Sequence, residues 1–328
     1  MLNGLDIQTK HIYSPIMEDL EQVEKKLCEV VDASPEEIRV LLRYALQDKG
    51  KRLRPAITLL ASRLHPCDQE NPVLMATAIE LLHLATLIHD DTVDESEIRR
   101  GRLTVSKRWG GEIAVLLGDY VFGVSAVYVC DTGNVRAIRA FAETIRQLSH
   151  GQLLEYLRSF KYQQARDDYH IRISYKTASL FRTAGEAGAI LAGTREEWIR
   201  TMAQYGHNLG MAFQVVDDIL DYEGNPEQVG KPVGNDLLHG IVTLPALMLM
   251  ERSAHDNPIA SLFRHQPPKT EQLSAIVETI RSQGILEECY QVAQDYCDKA
   301  SESLRTLPES PTVDSLLALT RYVLERRR

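Results

Sequence analysis

Ile16, Leu20, Val23, Leu27 and Val30 fall three or four residues apart, the spacing that lays apolar side chains along one face of an α-helix. The same rhythm returns over residues 38–48, 72–93, 112–130, 135–162, 171–192, 195–221, 241–253 and 271–304, and in the tail from Val313 to Leu324. Strand-like alternation is scarce. Ser precedes Pro at Ser14-Pro15 and in "SPEE" (Ser34 to Glu37), where Glu37 adds a capping-box pattern to the helix start. Breakers such as "CDTGN", "EGNPEQVGKPVGND" and "HQPPK" separate the periodic segments, and no linker or low-complexity tract appears. The expectation is an all-α fold, a single domain over residues 1–328, with roughly ten or more helices bundled around a central cavity.

Composition narrows the function classes. A formal net charge of −9 argues against nucleic acid as a partner, while leaving room for a small anionic ligand in a local basic pocket. Cys28, Cys67, Cys130, Cys289 and Cys297 are scattered with no CxxC pair, which suggests free thiols rather than disulfides or a zinc site. The N-terminus lacks the basic-then-apolar layout of a signal peptide, so a cytoplasmic location is expected. "IAVLLGDYVFGVSAVYVC" (113–130) approaches the length of a membrane span. Asp119 near its middle is costly in lipid and no basic flank follows, so a buried core helix without stable membrane insertion is expected.

One internal echo stands out. "LIHDDTVD" (87–94) and "FQVVDDILD" (213–221) are apolar runs that each end in Asp-Asp-x-x-Asp. On a helix Asp90 and Asp94 share a face, about 6 Å apart along the axis, as do Asp217 and Asp221. Asp91 and Asp218 turn about 100° aside. Two carboxylates about 4 Å apart repel by roughly 4 kcal/mol at near-surface dielectric. Hard divalent cations offset this, and Mg²⁺ takes one or two carboxylates together with waters and phosphate oxygens. One such cluster alone reads as a solvated helix end; two, each closing an apolar run, favour metal. Lys51, Arg52 and Arg54 in "GKRLRP", Arg99, Arg100 and Arg102 in "RRGR", and the isolated Lys176 and Lys231 supply cations suited to two diphosphates.

These motifs, in the order "GKRLRP", "ELLHLATLIHDDTVDESEIRRG", "LLGDY", "YKTASLF", "GMAFQVVDDILDYEG" and "GKPVGNDL…TLP", resemble the all-trans polyprenyl diphosphate synthases from about residue 14 to the C-terminus. The resemblance implies the isoprenoid synthase fold and Mg²⁺-dependent, head-to-tail condensation of isopentenyl diphosphate onto an allylic diphosphate such as farnesyl or geranylgeranyl diphosphate. It makes Asp90 and Asp94, supported by Asp91, the first metal set, and Asp217, Asp218 and Asp221 the second, with three Mg²⁺ ions per substrate-bound site. Arg99, Lys176 and Lys231 would hold the allylic diphosphate. Lys51, Arg54, His83 and Arg100 would hold that of isopentenyl diphosphate, although a histidine in "ELLHLATL" also fits an apolar core. Thr177 and Gln214 would face the developing allylic cation.

The released diphosphate is the family's usual base, which accounts for the lack of a dedicated catalytic histidine. Ile241 stands where many relatives carry a lysine. Small residues at Ala85 and Thr86, with Leu82 deeper and Phe122 on the neighbouring helix, form the expected chain-length floor and point to a hexaprenyl to decaprenyl product, with geranylgeranyl as the alternative. A class I terpene cyclase is disfavoured by the second DDxxD and by "GKRLRP". A non-catalytic subunit is disfavoured by two intact clusters. The resemblance further implies a homodimer, with peripheral membrane contact at product release.

Overall fold

The computed structural model describes residues 6–47, 50–224, 233–253, 256–264 and 269–326. The helices run in the order α1 (Ile7–Ile12), α2 (Met17–Ala33), α3 (Glu36–Ala45), α4 (Leu53–Ser62), α5 (Glu70–Val93), α6 (Val105–Trp109), α7 (Gly111–Asp131), α8 (Val135–Arg158) and α9 (Arg166–Ile173). A π-helical turn (Ser174–Ala178) leads into α10 (Ser179–Leu191) and α11 (Glu196–Glu223). The rest are α12 (Asn235–Leu238), α13 (Leu244–Arg252), α14 (Pro258–Phe263), α15 (Thr270–Ser282), α16 (Ile285–Ser303) and α17 (Pro311–Leu324). The fold is all-α. Among the described residues the strands are β1 (Ile98–Arg99) and β2 (Arg102–Leu103), a single antiparallel pair.

The chain divides into two compact units. Residues 1–143, 180–206 and 304–319 form the first. There α5 packs against α2, α4 and α7, burying Met75, Ala76, Ile79, Leu81 and Ile88 among Ile57, Leu59 and Leu60. The α5 run is buried almost all round, which is why its apolar residues show no single stripe. Residues 144–179, 207–303 and 320–328 form the second unit. Its core gathers Val215, Val216, Ile219 and Tyr222 of α11 with Leu247 and Leu249 of α13 and Ile285 and Cys289 of α16.

Several expectations need correction. The segment 271–304 is two helices, because Gly284 adopts a φ of 70°, which ends α15. Ser34 makes no capping box: its hydroxyl donates to the Val30 carbonyl at 2.7 Å and shares a 2.9 Å hydrogen bond with the Tyr120 hydroxyl, leaving α3 to start behind Pro35. The helix α1 went unread; Asp6 caps it, accepting from the Thr9 N–H at 2.7 Å. Finally, α7 is not a buried core helix. One face packs against α5, while Leu116 is 65% and Val127 57% exposed, with Ile113 and Val115 beside them on the open side. Both α5 and α7 are long and apolar enough to cross a membrane by length and composition.

Candidate active site

In the first unit the apolar α5 ends in its carboxylates. Asp90 and Asp94 sit in the last turn, both partly exposed, and the Asp94 N–H closes the helix by donating to the Asp90 carbonyl at 2.8 Å. The negative end of the helix dipole adds to their attraction for a cation. Asp91 faces the other way and is 6% exposed. Arg99 grips it from both carboxylate oxygens, with Nε 2.8 Å from each. This pairing and the nearby Asp90 and Asp94 raise the basicity of the Arg99 guanidinium against the opposing effect of its burial.

The "RRGR" stretch is a two-residue hairpin rather than helix or coil. Ile98 pairs with Leu103 and Arg99 with Arg102, while Arg100 and Gly101 turn the corner at φ values of 50° and 76°. Two consecutive positive φ angles mark the primed hairpin turn. The turn aims the Arg100 guanidinium at Gly50, where an added methyl would lie 3.1 Å from Nη1.

Gly50 opens "GKRLRP", whose three cations have separate fates. Arg52, at a φ of 52° before α4, is buried and bonded at 2.6 Å to both Glu24 and Glu80. Lys51 stays exposed, 3.7 Å from Asp6, and its carbonyl accepts from the Tyr13 hydroxyl. Arg54 stacks its guanidinium 4.4 Å from the Phe181 ring centre. His83, one helical stretch before Asp90, is enclosed among Arg54, Arg100, Arg99 and Arg52; burial first, then those positive charges, hold its pKa well below the ordinary histidine value. A neutral imidazole amid guanidinium groups is a place where an anion binds well. Arg99 and Arg100 also line a pocket with Leu84, Leu87 and Ile88.

On α5 the expected floor residues Ala85 and Leu82 are buried, whereas Thr86 is partly open and spends its hydroxyl on the His83 carbonyl at 2.8 Å. Phe122 sits partly exposed on α7, the helix packed against α5. Gly118 makes room for His89, since a methyl there would lie 2.1 Å from the imidazole Nε2.

The second unit carries the other cluster on α11. Asp218 is 3% exposed and accepts from the Tyr169 hydroxyl and the Gln214 amide, each at 2.7 Å. Gln214 in turn accepts from the Thr177 hydroxyl at 2.6 Å. This chain fixes the amide: its NH₂ must face the carboxylate, so its oxygen faces Thr177. Asp221 accepts from the Asn235 and Asp236 N–H groups, each at 3.2 Å, and so holds the start of α12. Asp217 meets the Arg326 guanidinium at 3.0 Å, and that guanidinium also covers the Phe213 ring.

Burial and crowding govern protonation here. Burial, followed by the Asp236 charge, pushes Asp218 up to about 7. The same causes raise Asp221. Asp236 is raised by burial and by Glu155, against the pull of Arg172 and Lys176. Lys176 itself ion-pairs with Glu155. Ile241 lies just after α12, its N–H on the Asp236 carbonyl at 2.9 Å. Lys231 lies outside the described residues.

The first unit therefore gathers Asp90, Asp91, Asp94, Arg99, Arg100, His83 and Arg54, and the second Lys176, Thr177, Gln214, Asp217, Asp218 and Asp221. Among the described residues no three carboxylate, imidazole or thiol groups close on one point. The donor set fits a hard cation such as Mg²⁺, which completes its shell with water and phosphate oxygens. Sequence reading missed Tyr169, Glu155 and Arg326, which lie far from the motifs they serve, and Arg172, which stands just before "YKTASLF". It named Arg52 only as one more cation.

Residues 35–280 match the family model described as Polyprenyl synthetase. The chain is 34% identical over 322 residues to heptaprenyl diphosphate synthase component 2 of Geobacillus stearothermophilus, covering 98% of this chain and 99% of that one. It is 33% identical over 315 residues to octaprenyl diphosphate synthase of Escherichia coli (strain K12), covering 95% and 97%. Among solved structures, a polyprenyl synthase of Caulobacter crescentus CB15 complexed with calcium and isoprenyl diphosphate superposes with a TM-score of 0.92 at 32% identity, covering 98% of each chain.

Proposed function

Because this chain belongs to the polyprenyl synthetase family, we propose that it is an all-trans polyprenyl diphosphate synthase. It joins isopentenyl diphosphate head-to-tail to an allylic diphosphate and releases diphosphate. Residues 1–328 are read as a single synthase domain. The observation that carries the reading is the pair of helices, α5 and α11, each ending an apolar run in Asp-Asp-x-x-Asp with its middle aspartate buried and anchored.

Asp90 and Asp94 on α5, with Asp217 and Asp221 on α11, hold Mg²⁺. When bound, the ions neutralise the charge that grows on the departing diphosphate as the allylic C–O bond breaks. Asp91 and Asp218 support at one remove, Asp91 by fixing Arg99 and Asp218 by fixing Gln214. Arg99, Lys176 and Lys231 grip the allylic diphosphate. Lys51, Arg54 and Arg100 hold the diphosphate of isopentenyl diphosphate, and His83 donates an N–H to it without adding charge. The Thr177 hydroxyl, spent as a donor on Gln214, turns its lone pairs to the electron-poor carbon. Buried apolar residues of α5 exclude water from the cation.

The product is longer than farnesyl, in the hexaprenyl to decaprenyl range, since Ala85 is small where the floor would lie. The open apolar side of α7 supports a homodimer formed through that helix. The Geobacillus relative's name speaks of a component, which supports a second reading with an auxiliary chain.

One experiment tests these together. The purified chain is incubated alone with Mg²⁺, labelled isopentenyl diphosphate and farnesyl or geranylgeranyl diphosphate, and the dephosphorylated products are sized. A ladder ending in one long prenyl alcohol is expected. Absence of condensation with every primer, reversed only by a second chain, would shift the reading to the hetero-oligomer. A hydrocarbon formed without consumption of isopentenyl diphosphate would replace it with a cyclase.

A further inference from the structure

Lys176 and Thr177 lie in the π-helical turn, and their side chains take different partners: Thr177 bonds Gln214 of α11, while Lys176 turns to α8. Two features on one face of α8 meet Lys176. A methyl added at Gly151 would lie 2.7 Å from the Lys176 backbone nitrogen and 3.1 Å from its Cα, so helix and turn touch backbone to backbone. One turn further along that face, Glu155, 8% exposed, takes the Lys176 ammonium with one carboxylate oxygen. Its other oxygen stands 3.8 Å from Nε of Arg172, which is 4% exposed and donates from Nη2 to the Val242 carbonyl at 2.8 Å.

We propose that Glu155 is the positioning residue for Lys176: with Gly151 below and Arg172 beside it, it holds the ammonium in place for the allylic diphosphate. The proposal rests on the reading that Lys176 binds that diphosphate. An ammonium has three N–H donors, so the grip of Glu155 is compatible with donation to a phosphate at the same time. The Lys176 side chain is 24% exposed, which keeps its head within reach of a ligand. A lysine stem is long and flexible, and fixing it before the ligand arrives removes an ordering cost from binding. Arg172 serves Glu155 in turn, because a buried carboxylate facing a single ammonium would itself be loosely held.

The test is steady-state kinetics on the full chain with Mg²⁺, varying farnesyl diphosphate and isopentenyl diphosphate separately. The variants are Glu155→Gln, Glu155→Asp, Lys176→Ala and the double variant Glu155→Gln/Lys176→Ala, with melting temperatures measured alongside. Glu155→Gln is expected to raise the KM for farnesyl diphosphate about tenfold, the scale of one charge-assisted hydrogen bond, with the KM for isopentenyl diphosphate unchanged. Glu155→Asp restores part of the loss, and Glu155→Gln adds nothing once Lys176 is alanine. A lower KM for farnesyl diphosphate in Glu155→Gln would overturn the proposal, because Glu155 would then be holding Lys176 away from substrate. So would losses that add in the double variant, or a rise in both KM values together with a lower melting temperature in both Glu155 variants. An unchanged farnesyl diphosphate KM in Lys176→Ala, beside an active parent, would overturn the assigned role of Lys176 and leave the synthase reading standing.

Discussion

At the scale of single residues, each Asp-Asp-x-x-Asp divides the same labour. Asp91 and Asp218 are buried and tied, to Arg99 in one unit and to Gln214 and Tyr169 in the other, while Asp90 and Asp217 stay partly open. Helical spacing alone gives the 100° turn of the middle aspartate. It says nothing of what stands across from it, since Tyr169 is 49 residues from Asp218. The cations of "GKRLRP" teach the same lesson: Arg52 is a buried structural group with two carboxylate partners, whereas Lys51 beside it stays exposed. Arg52→Ala is therefore expected to strand Glu24 and Glu80 and cost about 3–5 kcal/mol of stability, read as a lower urea midpoint. A midpoint equal to that of the parent would mean the pair is solvated in solution.

Among elements, periodicity identified nearly every long helix, because each buries one stripe or its whole circumference. It failed where local backbone conformation decides. The hairpin that carries Arg99 and Arg100 is too short to show alternation, and Gly284 breaks a continuous apolar rhythm. The π turn is equally silent, since one extra residue barely disturbs an apolar pattern. At this scale Gly151→Ala is expected to push the turn off α8, lowering kcat/KM about tenfold or more while far-ultraviolet circular dichroism stays helical. Retention of full activity would show that the turn tolerates the displacement. On α5, Ala85→Phe places a large ring at a buried position, where the proposed reading puts the tail of the growing product. Shorter prenyl alcohols are expected by chromatography, and an unchanged length would remove α5 as the floor.

For the whole molecule, the unpredicted feature is the open apolar side of α7. Composition marks this helix as buried, yet among the described residues its neighbours leave one side open. In the proposed reading these exposed apolar side chains form a contact site. Leu116→Glu combined with Val127→Glu is expected to convert a dimer into a monomer by light scattering, and a parent that is monomeric at micromolar concentration would exclude the homodimer. The rod from α9 through the π turn to α10 has one more consequence, for change over generations. A π turn is a helix holding one residue beyond its natural count. Losing one codon between Ser174 and Ala178 would return this turn to the α-helical count and keep the flanking helix in register, while displacing Lys176 and Thr177 from Glu155 and Gln214. Deletions scanned along the chain should therefore find this turn lenient toward helical content and unforgiving toward activity.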